Sequence, residues 1–287
     1  MAGQSLPGSR RHTRREKFIS ALTDSDKKLR ALRSRIFSGQ TDPGTKDFHP
    51  LKAIVEYFKK DEYDEATWLA FLCIHFGGTS RTGKSADTVR LFYGKFGKGK
   101  WDWKTIVRLP ADVREWMLTL SKAELKQLKF GNHRKYETNN PRSAIGTPAV
   151  IASFVEWVRQ NEGDSAWQAF ASAKKIGSAP EAEFDFLYES LDQVKQFGRT
   201  ARFDFLCLLG NLGILDVMPA HCYLQGSTGP TSGALLLGTG RKKGRLTRRV
   251  QEIIDELRVA LGISAEAMED GLCNWQKGEG FISRMFR

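Results

Sequence analysis

Apolar residues recur along this chain at spacings of three and four, and no run alternates in the manner of a half-buried strand. Phe18, Ile19, Leu22, Leu29, Leu32 and Ile36 predict one or two short helices up to Phe37. Thr41 to Gly44 reads as a turn. His49-Pro50 opens a helix to about Lys60, with Leu51, Ile54, Val55 and Phe58 on one face. Ala66 to Phe76 predicts a strongly apolar helix, stopped by Gly77 and Gly78. Further helices are expected at Ser85–Phe96 and Asp112–Leu120, followed by a capping box at Ser121 and Glu124. Thr147 as N-cap and Pro148 at the first helical position start a long helix through Val158. An acidic helix from Glu181 to Leu191, one opening at Thr200 and an amphipathic one from Val250 to Leu261 complete a mainly α fold.

The 287 residues suffice for one sizeable core or two intimately packed lobes, and 40% hydrophobic content marks a globular chain. Lys and Arg number 45 against 33 Asp and Glu, a formal charge of +12. That excess favours a polyanionic partner, with nucleic acid ahead of an acidic membrane. Cys73, Cys207, Cys222 and Cys273 lie far apart and form no CxxC pair. A zinc or iron–sulfur site is therefore not expected, nor is a cofactor. Reduced cysteines in apolar runs suit a cytoplasmic protein. No apolar run approaches about 18 residues, and the N-terminus lacks a signal-peptide core. No obligatory protein partner is inferred.

Basic residues cluster in three places. Residues 1–17 are polar and basic and are expected to be a flexible arm, with 18–287 forming one helical unit of two lobes. Gly94 to Trp103 interleaves three lysines with three aromatics; the lysines are expected to meet DNA and the tryptophans to anchor the loop. Gly238 to Arg249 holds six basic residues in twelve, with Arg241, Lys242 and Lys243 at its centre. It is the first choice for a nucleic-acid patch. Its glycines lack the Gly-Lys-Ser/Thr order of a nucleotide-binding loop.

The stretch from Leu191 to Gln225 organises the rest. A short turn, Gln196 to Arg199, precedes a helix, and free N–H groups at a helix start form a phosphate seat. Lys195, Phe197, Gly198, Arg199, Thr200 and Arg202 are the expected DNA contacts there. Asp216 follows Gly213.

This stretch resembles the helix-hairpin-helix DNA glycosylase superfamily. Gly198, Thr200 and Ala201 match the end of that family's hairpin, in a form one residue shorter. Asp216-Val-Met-Pro-Ala220 is similar to the Asp-x-Phe-Pro-Ala stretch of alkylated-base glycosylases. His221 and Cys222 stand where those enzymes keep the catalytic Asp. Phe76-Gly-Gly-Thr-Ser80 resembles their Ser-Gln-Gln-Thr-Ser turn, so Thr79 and Ser80 match while both glutamines are glycine; a wedge side chain is absent there. Gly131-Asn-His-Arg-Lys135 resembles a Gly-x-x-Arg-x-Lys element and offers Arg134 as a phosphate contact. Residues 202–214 and Leu272 to Lys277 look like the alpha-glutamyl/putrescinyl thymine pyrophosphorylase-like branch, which is associated with hypermodified pyrimidines of bacteriophage DNA.

The resemblance implies a two-lobed glycosylase-like helical fold and a monofunctional DNA glycosylase. Such an enzyme flips a modified base out of double-stranded DNA, uses no metal, and leaves an abasic site, in an antiphage setting. A carboxylate would stabilise the sugar cation, with Asp216 first, Asp204 second, and His221 as acid or base. Two alternatives stand beside it. One is a transferase that displaces an activated group on a hydroxymethyl-pyrimidine with an amine. The other is a non-catalytic DNA-binding protein.

Overall fold

The computed structural model describes residues 6–37, 41–45, 47–78, 84–172 and 179–278. Among these the chain is helical, and its isolated β-bridge pairs Thr138 with Gly146. The helices are α1 (His12–Phe37), α2 (Pro50–Lys59), α3 (Tyr63–Phe76), α4 (Lys84–Tyr93), α5 (Trp103–Arg108), α6 (Asp112–Thr119) and α7 (Lys122–Gln127). They continue with α8 (Thr147–Glu162), α9 (Ala166–Ala171), α10 (Pro180–Ser190), α11 (Arg199–Asn211), α12 (Gly229–Thr239), α13 (Arg248–Leu261) and α14 (Ala265–Trp275). None of the described helices is long and apolar enough to cross a membrane. The chain divides into two compact units: a middle unit, Arg35–Met218, and a terminal unit that joins the segment up to Ser34 with the segment from Pro219.

The middle unit is built around α3. Every residue from Ala66 to Phe76 is buried, as an apolar run without a polar face requires. Phe71 stacks on Phe154 of α8 with ring centroids 4.0 Å apart and on Phe197 at 5.3 Å; Phe205 of α11 meets it edge-on at 6.2 Å. Each buried ring contributes roughly 1.5–3 kcal/mol relative to an exposed one. α3 ends at Gly77, whose left-handed φ of 69° turns the chain without a Cβ penalty. α2 buries Leu51, Ile54 and Val55 on its expected face.

The terminal unit has its own core. Phe18 and Leu22 of α1 join Leu237 of α12, Ile254 of α13 and Leu272 of α14. The Phe18 ring lies 4.9 Å from that of Trp275, whose indole N–H donates to the Arg14 carbonyl at 3.1 Å. α12 and α14 touch backbone to backbone: a Cβ on Gly233 would sit 2.3 Å from the Leu272 oxygen.

Several elements differ from the sequence expectations. The basic segment 1–17 is helical from His12, and a 3-10 turn at Pro7–Ser9 precedes it. The helix expected to reach Phe96 ends at Tyr93, because Lys95 and Phe96 take positive φ. Asp102 caps an unforeseen α5 by accepting the Thr105 N–H at 2.9 Å. α8 starts one residue early, with Gly146 as its N-cap.

Candidate functional site

In the middle unit, α10 leads through a 3-10 turn, Leu191–Gln193, into the reversal before α11. The Phe197 N–H donates to the Val194 carbonyl at 3.1 Å, and Gln196 takes a φ of 57°. Gly198 is the N-cap of α11 and, having no side chain, supplies no capping hydrogen bond to the first turn. Gly198 is exposed, and a Cβ there would meet nothing within 4 Å. The exposed N-cap and the positive helix end together suit a phosphate. Lys195 is exposed and Thr200 half-buried beside this helix start.

Three expected DNA contacts are turned inward instead. Phe197 is 1% exposed, stacked on Phe71. Arg199 is buried with its guanidinium 4.5 Å from the Phe203 ring centre. Arg202 stands 4.3 Å over Tyr188, donates to the Tyr188 carbonyl at 2.9 Å and pairs with Asp192 at 3.2 Å. A flat, weakly hydrated guanidinium stacks well on an aromatic face, so these arginines tie the hairpin together.

Arg134 is likewise a tie rather than a surface cation. It donates from Nε to the His75 carbonyl at 3.3 Å, from Nη2 to the Gln196 carbonyl at 3.0 Å, and pairs with Glu137 at 3.3 Å. It thus joins the end of α3, the 131–137 loop and the hairpin turn. Burial lowers the Arg134 pKa, against the attraction of Glu137 and Asp204. Burial also raises the Glu137 pKa, against Arg134. Below it, His75 is fully buried, with Nε2 3.0 Å from Thr147 Oγ1; burial, reinforced by Arg134, holds its pKa well below the ordinary value. Gly131 crosses Gly77 closely, and a Cβ on Gly131 would lie 2.8 Å from the Gly77 oxygen. Thr79 and Ser80 lie outside the described residues.

The candidate acids separate. Asp204 is half-buried on α11, where its charge acts on Arg134. Asp216 is exposed in the segment after α11, between buried Leu215 and Val217. The Met218 N–H donates to the Pro180 carbonyl at 3.3 Å and fixes that segment. His221 belongs to the terminal unit and is exposed; its Nδ1 accepts the Tyr223 N–H at 3.2 Å. Burial raises the pKa of Asp255 on α13, while His221 and Arg258 pull it down. Cys222 is buried, with Sγ 3.5 Å from the Ala265 carbonyl.

The two basic loops are exposed. Arg241, Lys242 and Lys243 all face solvent, and Lys242 donates to the Gln276 carbonyl. Arg248 and Arg249 are partly neutralised by Glu252 at 3.0 and 3.6 Å. In the 94–103 loop, Trp101 and Trp103 are buried, while Lys98 and Lys100 are exposed.

The model of the family described as alpha-glutamyl/putrescinyl thymine pyrophosphorylase clade 3 matches residues 13–285. The chain belongs to that family. No curated protein and no solved structure matches it. Membership of this pyrophosphorylase clade overturns the expectation of a hydrolytic DNA glycosylase, and with it the abasic-site product. A hairpin pattern of the kind that led to that expectation speaks to binding, and binding does not specify which bond breaks.

Other notable groups in this pyrophosphorylase-clade chain escaped the sequence reading. Glu65 of α3 accepts from Tyr93 Oη at 2.5 Å and from the Trp103 N–H at 2.7 Å, and Tyr57 Oη lies 2.8 Å from Tyr93 Oη. Burial pushes the Glu65 pKa up to about 7, against the Tyr93 and Trp103 hydrogen bonds, and the Tyr57 pKa up to about 12. This network clamps the base of the lysine loop to α3. No local pattern links Glu65 to a tyrosine 28 residues away. A cleft of about 480 Å³ opens beside the hairpin, lined by Arg114, Ser153, Glu156, Gln160, Gln193 and Lys195 among others. Tyr136 is the third: it is 85% exposed in a basic loop, where a lone aromatic among cations was the available signal.

Proposed function

We propose that this protein is a transferase that modifies a pyrimidine base in DNA by replacing pyrophosphate with an amine. Family membership over residues 13–285 carries this reading. The family's name supplies the chemistry: thymine as the base, glutamyl or putrescinyl as the group gained, and pyrophosphate as the group exchanged. The amine nitrogen attacks the methylene carbon on the pyrimidine ring, a C–N bond forms, and the C–O bond to pyrophosphate breaks. The electron pair leaves on pyrophosphate, and the nitrogen loses a proton to a base.

That reaction needs a base for the proton and positive groups for the leaving anion. We assign Asp216 as the base because it is exposed, whereas Asp204 acts on buried Arg134 and holds a positioning role. The start of α11, with Gly198, Thr200 and Lys195, is assigned to phosphate, whether of the DNA strand or of the leaving group. His221, with Asp255 nearby in charge terms, is an acid–base group of the terminal unit. Arg241, Lys242 and Lys243 are assigned to the DNA backbone. The high net positive charge fits a DNA partner.

The test uses DNA carrying pyrophosphorylated hydroxymethyluracil, incubated with glutamate or putrescine. Nucleoside mass spectrometry should find the amine adduct on an intact sugar, with pyrophosphate released in equal amount. Asp216→Asn should lower the rate at least about a hundredfold without weakening DNA binding. Unchanged DNA with every amine, despite tight binding, would refute the transferase.

A further inference from the structure

The loop between α7 and α8 carries an unexplained aromatic. Tyr136 is 85% exposed, far beyond the next most exposed described aromatic among the large hydrophobics, Phe186 at 40%. A tyrosine ring carries a large apolar face and a polar tip, which suits it to a partner that is itself part aromatic and part polar. In the same loop His133, Lys135 and Arg142 are exposed, and Lys135 Nζ stands over the ring, 5.0 Å from its centre. The loop's acidic residue, Glu137, is spent on Arg134 at 3.3 Å and adds little negative charge to the surface. The patch is therefore cationic, with Lys135 over one face of a ring that is otherwise exposed.

The loop is held firmly at its base. The Gly131 N–H donates to the Phe76 carbonyl at 2.7 Å, and the Thr147 N–H to the Thr138 carbonyl at 3.0 Å. The Asn139 side chain donates to the Leu128 carbonyl at 2.8 Å, and Asn140 Oδ1 accepts the Arg142 N–H at 3.0 Å. Arg134 adds the hydrogen bond to the Gln196 carbonyl, two residues before the open start of α11. A ring next to an anchored backbone loses less freedom on binding than one on a loose tail. The same guanidinium that fixes this loop fixes the phosphate seat.

We propose that Tyr136 stacks on an unstacked nucleobase while Lys135 and Arg142 hold the flanking phosphates, so that this loop and the start of α11 grip one DNA strand. The proposal rests on the DNA reading above. A nucleobase with its phosphates offers both things the patch lacks, a π face and negative charge. An acidic protein surface offers the charge alone.

The test measures binding of the full chain, at fixed salt, to a fully paired duplex and to the same duplex with a single-nucleotide gap. Tyr136→Ala should weaken binding to the gapped duplex about tenfold, change the paired duplex less than about twofold, and leave the salt dependence intact. Tyr136→Phe should bind like the wild type, since stacking needs only the ring. Arg142→Ala should flatten the salt dependence by about one phosphate on both duplexes. Equal affinity of Tyr136→Ala and wild type for gapped DNA would overturn the proposal, as would a Phe variant as weak as the Ala variant, or an equal loss on both duplexes. A wild type that binds neither duplex would sink the DNA reading and this loop assignment together. Wild-type binding without a Tyr136 effect sinks only the latter.

Discussion

Replacing Glu65 by glutamine should stabilise the protein, and increasingly so as pH rises. Glu65 is largely buried, and its pKa is raised by burial from 4.5 to about 7. Below pH 4 the carboxyl is protonated in both the folded and the unfolded chain and contributes no pH-dependent difference. Between about 4.5 and 7 the unfolded chain ionises while the folded one holds its proton, so stability falls as pH rises. Above about 7 the loss is complete. A difference of about 2.5 pKa units corresponds to about 3 kcal/mol. Glutamine keeps both hydrogen bonds: its oxygen accepts the Trp103 N–H, and its amide donates to Tyr93 Oη, which can donate onward to Tyr57. Urea unfolding of wild type and Glu65→Gln at pH 4 and pH 8 isolates the effect, because other carboxylates cancel in the difference. The stability gap should widen by about 3 kcal/mol in favour of the variant. A gap independent of pH would refute the account, and a widening in the opposite sense would mean that hydrogen bonding, not burial, controls this carboxyl.

Other perturbations separate structural ties from nucleic-acid contacts. Arg134→Ala removes a buried guanidinium and leaves the half-buried Glu137 without its cation, and should cost about 3 kcal/mol in chemical denaturation; a change below about 1 kcal/mol would show that the tie is dispensable. The double substitution Arg241→Ala and Lys243→Ala removes two exposed charges, and should leave the melting temperature unchanged while reducing the slope of log affinity against log salt by about 0.9 per lost phosphate contact. An unchanged slope would remove this loop from the interface.

Much of the helical framework was legible along the chain because its signals are local. The apolar run from Ala66 to Phe76 has no polar face and so had to be buried, and Gly77 ends it for a backbone reason present in the residue itself. The Ser121 and Glu124 pair forms the capping box that its three-residue spacing implied. Charge pointed to a polyanion, and residues 202–214 and 272–277 pointed to the branch to which the chain belongs. The reaction was misread because a hairpin and a nearby carboxylate describe binding geometry shared by different chemistries.

What the sequence determined by itself was therefore most of the long helices, their apolar faces and the chain's own net positive charge, the helices being set by neighbours within a few residues. Only the tertiary structure decided which charged groups remain available. Arg134, Arg199 and Arg202 look like phosphate ligands in a row of letters, yet each is turned onto a carbonyl or a ring that folding brings beside it. Tyr136 stands in solvent, 85% exposed, on a loop tied down by Arg134, Asn139 and Thr147. A side chain's surroundings come from residues distant in sequence, and no local pattern encodes them.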